Sequence, residues 1–110
     1  MNNQDKLPTE FKAKWIEALR SGKYKQGKSV LYNKDNNTYC CLGVAGSVAG
    51  MNCDDLNAGT FFYMTHLKRD VKNLPKILYK FDKVPAILIR MNDRQDKSFN
   101  EIADYIEENL

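Results

Sequence analysis

A chain of 110 residues, 43% hydrophobic and 28% charged, has the material for one core but not for two, so a single domain is expected. No apolar run approaches the ~20 residues that span a bilayer. The net charge of +3 is too small to imply nucleic-acid binding. Met1 to Lys6 (MNNQDK) lacks the apolar stretch of a secretory signal, and Cys40 and Cys41 are adjacent, where a mutual disulfide would be strained. Reduced thiols and a cytoplasmic location are the expectation.

Charge is unevenly placed. Residues 1–28 carry seven Lys or Arg against three acids, whereas residues 98–110 carry Glu101, Asp104, Glu107 and Glu108 and no base. Such asymmetry suits two terminal helices that lie near each other or simply solvate the fold, with a basic surface for phosphate-bearing ligands as the other reading.

The first element is a helix over Leu7 to Gly22 (LPTEFKAKWIEALRSG). Thr9 has N-cap chemistry, Phe11, Trp15, Ala18 and Leu19 form an apolar stripe, Glu10 and Lys14 make an i, i+4 pair, and Gly22 stands where a helix ends. Lys23 to Lys28 (KYKQGK) reads as a basic connector. A β-hairpin follows, from Ser29 to Asn33 and from Thr38 to Leu42, turned by Lys34 to Asn37 (KDNN), whose Asp and Asn tolerate left-handed angles. Leu42 to Gly50 (LGVAGSVAG) is small and apolar and suits a short buried helix or a tightly packed segment.

Met51 to Thr65 has no period and reads as a loop with an extended piece around Phe61 to Met64. Pro75 opens a short helix through Phe81, and Pro85 opens another over Ala86 to Met91, although Ile87–Leu88–Ile89 also reads as a strand. Leu88 to Lys97 supplies a helix end and a polar turn. Ser98 and Glu101 then have capping-box spacing, and Phe99, Ile102, Ala103, Ile106 and Leu110 fall on one helical stripe, so the chain closes with a helical hairpin. The fold class is α+β: a short hairpin or small sheet packed on four to five helices, with Trp15, Leu19, Leu42, Val44, Leu88, Phe99, Ile102 and Ile106 in one core.

Three stretches, Ala18 to Gly27 (ALRSGKYKQG), Tyr39 to Val44 (YCCLGV) and Met91 to Leu110 (MNDRQDKSFNEIADYIEENL), are together similar to those of a family of small proteins encoded by tailed bacteriophages and prophages. The resemblance implies a phage accessory protein acting in a bacterial cytoplasm, of the kind that binds and neutralises a host factor or a nucleotide signal. It supplies no catalytic residues.

Candidate chemistry falls in three places. A cysteine nucleophile, Cys40 or Cys41, would need His66 as base, with Asp54, Asp55, Asp70 or Asp93 to orient it. On a strand the two thiols would point to opposite faces, and buried cysteines commonly serve as small hydrophobes, which is the favoured reading. A zinc site from Cys40 or Cys41, Cys53 and His66 lacks the paired C-x₂₋₄-C spacing, so no metal or other cofactor is expected. The connector gathers Arg20, Lys23, Lys25 and Lys28 around Tyr24, for which a solvated basic loop is the favoured reading and an anion or nucleotide site the other; GKYKQGKS has P-loop spacing but follows a helix, where a P-loop follows a strand. Asn92 and Asp93 are expected to turn the chain at a helix end, Asn92 in a left-handed conformation, and to offer a second ligand contact. The resulting expectation is a non-enzymatic binder of a host protein or a phosphorylated small molecule. It has no membrane partner, nucleic acid is an unfavoured ligand, and a second copy of the chain is an admissible partner.

Overall fold

A computed structural model describes residues 7–51, 56, 74–78 and 83–110. Its elements are helix α1 (Thr9–Arg20), strands β1 (Lys25–Gln26), β2 (Tyr32–Asn33) and β3 (Thr38–Tyr39), helix α2 (Cys41–Val48), a 3₁₀ turn (Lys76–Leu78), and helices α3 (Lys83–Asp93) and α4 (Phe99–Asn109). The fold is α+β, with four α-helices among the described residues.

α1 forms because its apolar residues recur at helical spacing, and Phe11, Trp15, Ile16 and Leu19 are buried along one face. Its start differs from expectation. Pro8 is the N-cap, with φ −57°, and no side chain caps the helix; Thr9 is already inside it. Proline fits this position because its φ is preset for helix entry, and its carbonyl accepts from Lys12 N–H at 2.9 Å. At the other end Gly22 takes φ +79°, the left-handed angle that lets the chain turn back beside the helix.

That return carries β1, which the basic connector conceals in the sequence. Two residues long, β1 pairs in parallel with β3, and β2 pairs antiparallel with β3, giving the sheet order β1-β3-β2. The expected hairpin is present, with Tyr32 opposite Tyr39 and Asn33 opposite Thr38. Its KDNN turn closes by local bonds: Asn33 Oδ1 accepts from Asp35 N–H, Tyr32 O–H donates to Asn37 Oδ1, and Asn37 sits at φ +57°.

Both strands are shorter than expected. Ser29 adopts φ +75° and Val30 N–H bonds the Lys28 carbonyl two residues back, a tight γ-turn that delays β2 to Tyr32. β3 stops at Tyr39 because Cys40 becomes the N-cap of α2, its Sγ accepting from Gly43 N–H at 3.4 Å. The alternating placement expected for the thiols is therefore replaced by a helix start, and both cysteines are buried.

α2 is the buried helix expected over the small apolar run, with Cys41 to Gly46 all inaccessible. It packs against α1 and α3, while α1 lies along α4. In the C-terminal hairpin, Ile87–Leu88–Ile89 is helical rather than extended, and Pro85 is the third residue of α3, where its missing N–H breaks no helical bond. The Ser98–Glu101 capping box is complete, with bonds of 3.1 and 3.0 Å, and the serine amide holds the Glu101 carboxyl below its usual range. Every residue expected in the core is buried, joined by Leu31, Leu56 and Leu78. Trp15 spans the centre and donates its indole N–H to the Cys41 carbonyl at 3.1 Å. The expected extended piece at residues 61–64, and the continuation of the Pro75 helix through Phe81, lie outside the described residues.

Candidate functional site

The residues singled out from the sequence separate into a paired set, a buried set and an exposed set. Arg20 belongs to the first. Its guanidinium meets Asp104 at 2.6 Å and Glu107 at 3.2 Å, and these carboxylates hold its pKa above the ordinary arginine value. The basic and acidic chain ends thus neutralise each other across the α1–α4 contact, and Lys12 Nζ adds a bond to the Glu107 carbonyl near the end of α4. Lys28 is likewise held, by Asp96, which takes φ +53° just beyond α3.

Asn92 is the centre of the buried set. It is 0% exposed, and its position corrects the expectation of a left-handed turn residue: it lies inside α3, and Asp96 makes the turn. Its Oδ1 accepts from Gln26 Nε2 at 3.0 Å and Cys41 N–H at 3.3 Å; its Nδ2 donates to the Gly27 carbonyl at 2.9 Å and Asp93 Oδ1 at 2.8 Å. Gln26 continues outward, donating to the Lys97 carbonyl and accepting from Phe99 N–H at the start of α4. Two amide side chains, Asn92 and Gln26, therefore tie β1, α2, α3 and α4 together. Among the described residues no buried side-chain polar atom lacks a partner, so this network is fully satisfied and offers no vacant donor.

Beside it a cleft of about 40 Å³ opens between Ser29, Val30, Cys40 and Asp93. It holds about one water and is too small for an organic ligand. The thiols on its wall are poor nucleophiles: burial pushes Cys40 up to about 11, and Cys41 is pushed well up for the same reason. Cys41 Sγ also donates weakly to the Leu88 carbonyl at 3.7 Å. Both sulfurs should resist 5,5′-dithiobis(2-nitrobenzoate) at pH 8 in the native protein and react within seconds in denaturant; peptide mapping that finds either labelled natively would contradict this placement. Because the folded pKa of Cys40 is raised, the stability linked to its neutral thiol is fully present below the unfolded value near 9 and is lost as pH climbs through about 11. His66 and Cys53, like Asp54, Asp55 and Asp70, lie outside the described residues. No group of three metal-ligating side chains occurs among the described ones.

The exposed set is Lys23, Tyr24 and Lys25. Neither lysine has a carboxylate partner among the described residues, and both are solvent-exposed. Tyr24 between them is half-buried and fixed: its hydroxyl shares a 3.0 Å hydrogen bond with Ser47, and its ring meets Tyr39 edge-on at 4.9 Å. Lys23 and Tyr24 border a shallow groove of about 200 Å³, whose other side is the C-terminal half of α1. Lys14 and Glu17 also line it; the sequence marked Lys14 only as the partner of Glu10 and did not single out Glu17. Only the left-handed turn at Gly22, which folds the connector back along α1, brings them into one place.

Residues 7–56 match the family model of a domain of unknown function (DUF8296). The matched stretch runs from the entry of α1 past the end of α2, so it includes the connector, the sheet and the cysteines and leaves out α3 and α4. No curated protein matches the chain, and no solved structure does. No helix among the described residues is long and apolar enough to cross a membrane.

Proposed function

We propose that this chain is a non-enzymatic binding protein that captures a phosphorylated small molecule on the connector after α1. By the resemblance of its three motif stretches, it would serve a phage in a host bacterial cytoplasm by withdrawing a host signal. One observation carries the reading: of the four connector cations, Arg20 and Lys28 are engaged by carboxylates, whereas Lys23 and Lys25 flank an immobilised tyrosine and are exposed. Two unpaired ammonium groups beside a fixed aromatic ring can hold a phosphate and a flat apolar group together. The buried, protonated thiols and the fully satisfied Asn92 network leave no comparable reactive centre among the described residues.

Calorimetry with mononucleotides and cyclic dinucleotides at two salt concentrations tests this. Lys23→Ala and Lys25→Ala should each weaken binding about three- to tenfold at low salt and flatten its salt dependence, with Arg90→Ala on α3 as a charge-matched control. Equal affinities in parent and connector variants would remove the connector from the site. A parent that binds no nucleotide would direct the search to a host protein.

A further inference from the structure

The groove beside Tyr24 contains a carboxylate that a pure phosphate site would exclude. Along α1, Lys14, Glu17, Ala18 and Ser21 lie at i, i+3, i+4 and i+7 and form one wall; Lys23 and Tyr24 form the other. Ser21 is already engaged, its hydroxyl donating to the Ala18 carbonyl at 2.7 Å and accepting from Lys23 N–H at 3.1 Å, so it fixes the wall in place. Glu17 is exposed and has no ion-pair partner among the described residues, although lysines line the same groove on both sides of it. The Lys23 ammonium at the connector end attracts an anion. A carboxylate accepts hydrogen bonds and repels that same anion, so a ligand satisfying both must carry its negative charge at one end and hydrogen-bond donors at the other.

Resting on the phosphorylated-ligand reading above, we infer that the ligand is a ribonucleotide, with the phosphate on Lys23 of the connector, the base against Tyr24, and the vicinal ribose hydroxyls donating to Glu17. A carboxylate has two oxygens at the spacing of two neighbouring hydroxyls, which makes it a good acceptor for a cis-diol. Ala18, the one apolar residue on the helix wall, leaves room for the sugar.

The test compares AMP with 2′,3′-dideoxy-AMP by calorimetry on the intact protein. The parent should bind AMP about tenfold more tightly, the loss expected for charge-assisted hydrogen bonds at an exposed site. Glu17→Ala should weaken AMP, leave or improve dideoxy-AMP, and bring the ratio close to one. Lys23→Ala should weaken both ligands by a similar factor and preserve the ratio. Equal affinities of the parent for the two ligands, or a ratio unchanged in Glu17→Ala, would overturn the assignment of Glu17 while leaving the phosphate reading intact. Failure of the parent to bind either ligand would overturn both.

Discussion

Gly43→Ala should be among the most damaging single-methyl additions in this protein, lowering stability by on the order of 3–5 kcal/mol and the melting temperature by about 15–25 °C. The cause is a backbone crossing. Gly43 lies in the first turn of α2, and a Cβ placed there would overlap the Leu31 carbonyl oxygen and come within 2.7 Å of the Leu31 carbonyl carbon. A flexible side chain could swing away from such a clash, but a backbone carbonyl cannot. Leu31 is 1% exposed, and its oxygen accepts from Cys40 N–H at 3.2 Å, the bond that turns the chain from β3 into α2. Relief of the overlap therefore breaks that bond and moves the hairpin off the helix. With typical domain stabilities of about 5–15 kcal/mol, a loss of this size leaves a marginal fold. Gly50→Ala is the control: Gly50 has φ +97° but open space around it, so alanine there costs only backbone strain, about 1 kcal/mol. Circular dichroism melts of both variants decide the matter, and a Gly43→Ala protein melting within a few degrees of the parent would show that α2 and Leu31 are not so closely packed.

These two glycines also mark how far the sequence could be read. Helical stripes are local, and the Phe99–Ile102–Ile106 face with its capping box needs only residues within one turn of each other, so α4 is legible to the residue. The hairpin is legible for a similar reason, its turn chemistry being confined to four residues. β1 is not, because two polar residues form a strand only by pairing with β3, some thirteen positions away, and neither Lys25 nor Gln26 has strand character. The role of Cys40 as an N-cap was hidden by its place after a β-rich run, where sulfur is an unusual capping group. At the candidate site, Tyr24 and its flanking lysines stand out in sequence because they are contiguous. Lys14 and Glu17 join them only after Gly22 reverses the chain, and no pattern in α1 distinguishes them from an ordinary solvated face. Asn92 drew notice for its position near a helix end, whereas its importance comes from partners at positions 26, 27 and 41 that only the tertiary fold assembles.

That assembly makes Asn92 the second residue whose substitution should be severe, and the pattern across three variants identifies the cause. Asn92→Ala removes a buried amide and leaves the Gly27 carbonyl and the Cys41 amide without their partner, with Gln26 losing one of its bonds; about 3–5 kcal/mol of stability should go with them. Asn92→Leu restores the volume and none of the bonds, so it should fall with alanine if hydrogen bonding dominates and recover towards the parent if packing does. Asn92→Asp keeps the acceptor oxygen for Gln26 and Cys41, but it turns the two donated bonds, to the Gly27 carbonyl and Asp93, into repulsions when ionised. Burial and the neighbouring Asp93 should raise the folded pKa of the new carboxyl above its unfolded value near 3.9. The sign of the pH dependence follows: the ionisation penalty is complete above the folded pKa, shrinks as pH falls through it, and is gone near the unfolded value, where the protonated carboxyl can donate one of the two bonds again. Urea unfolding between pH 4.5 and 8 should accordingly show the aspartate variant converging on the parent as pH falls while alanine and leucine stay parallel to it. An aspartate variant whose deficit is constant across that range would mean that residue 92 is hydrated, and the joint between β1, α2 and α3 would then have to be held by packing alone.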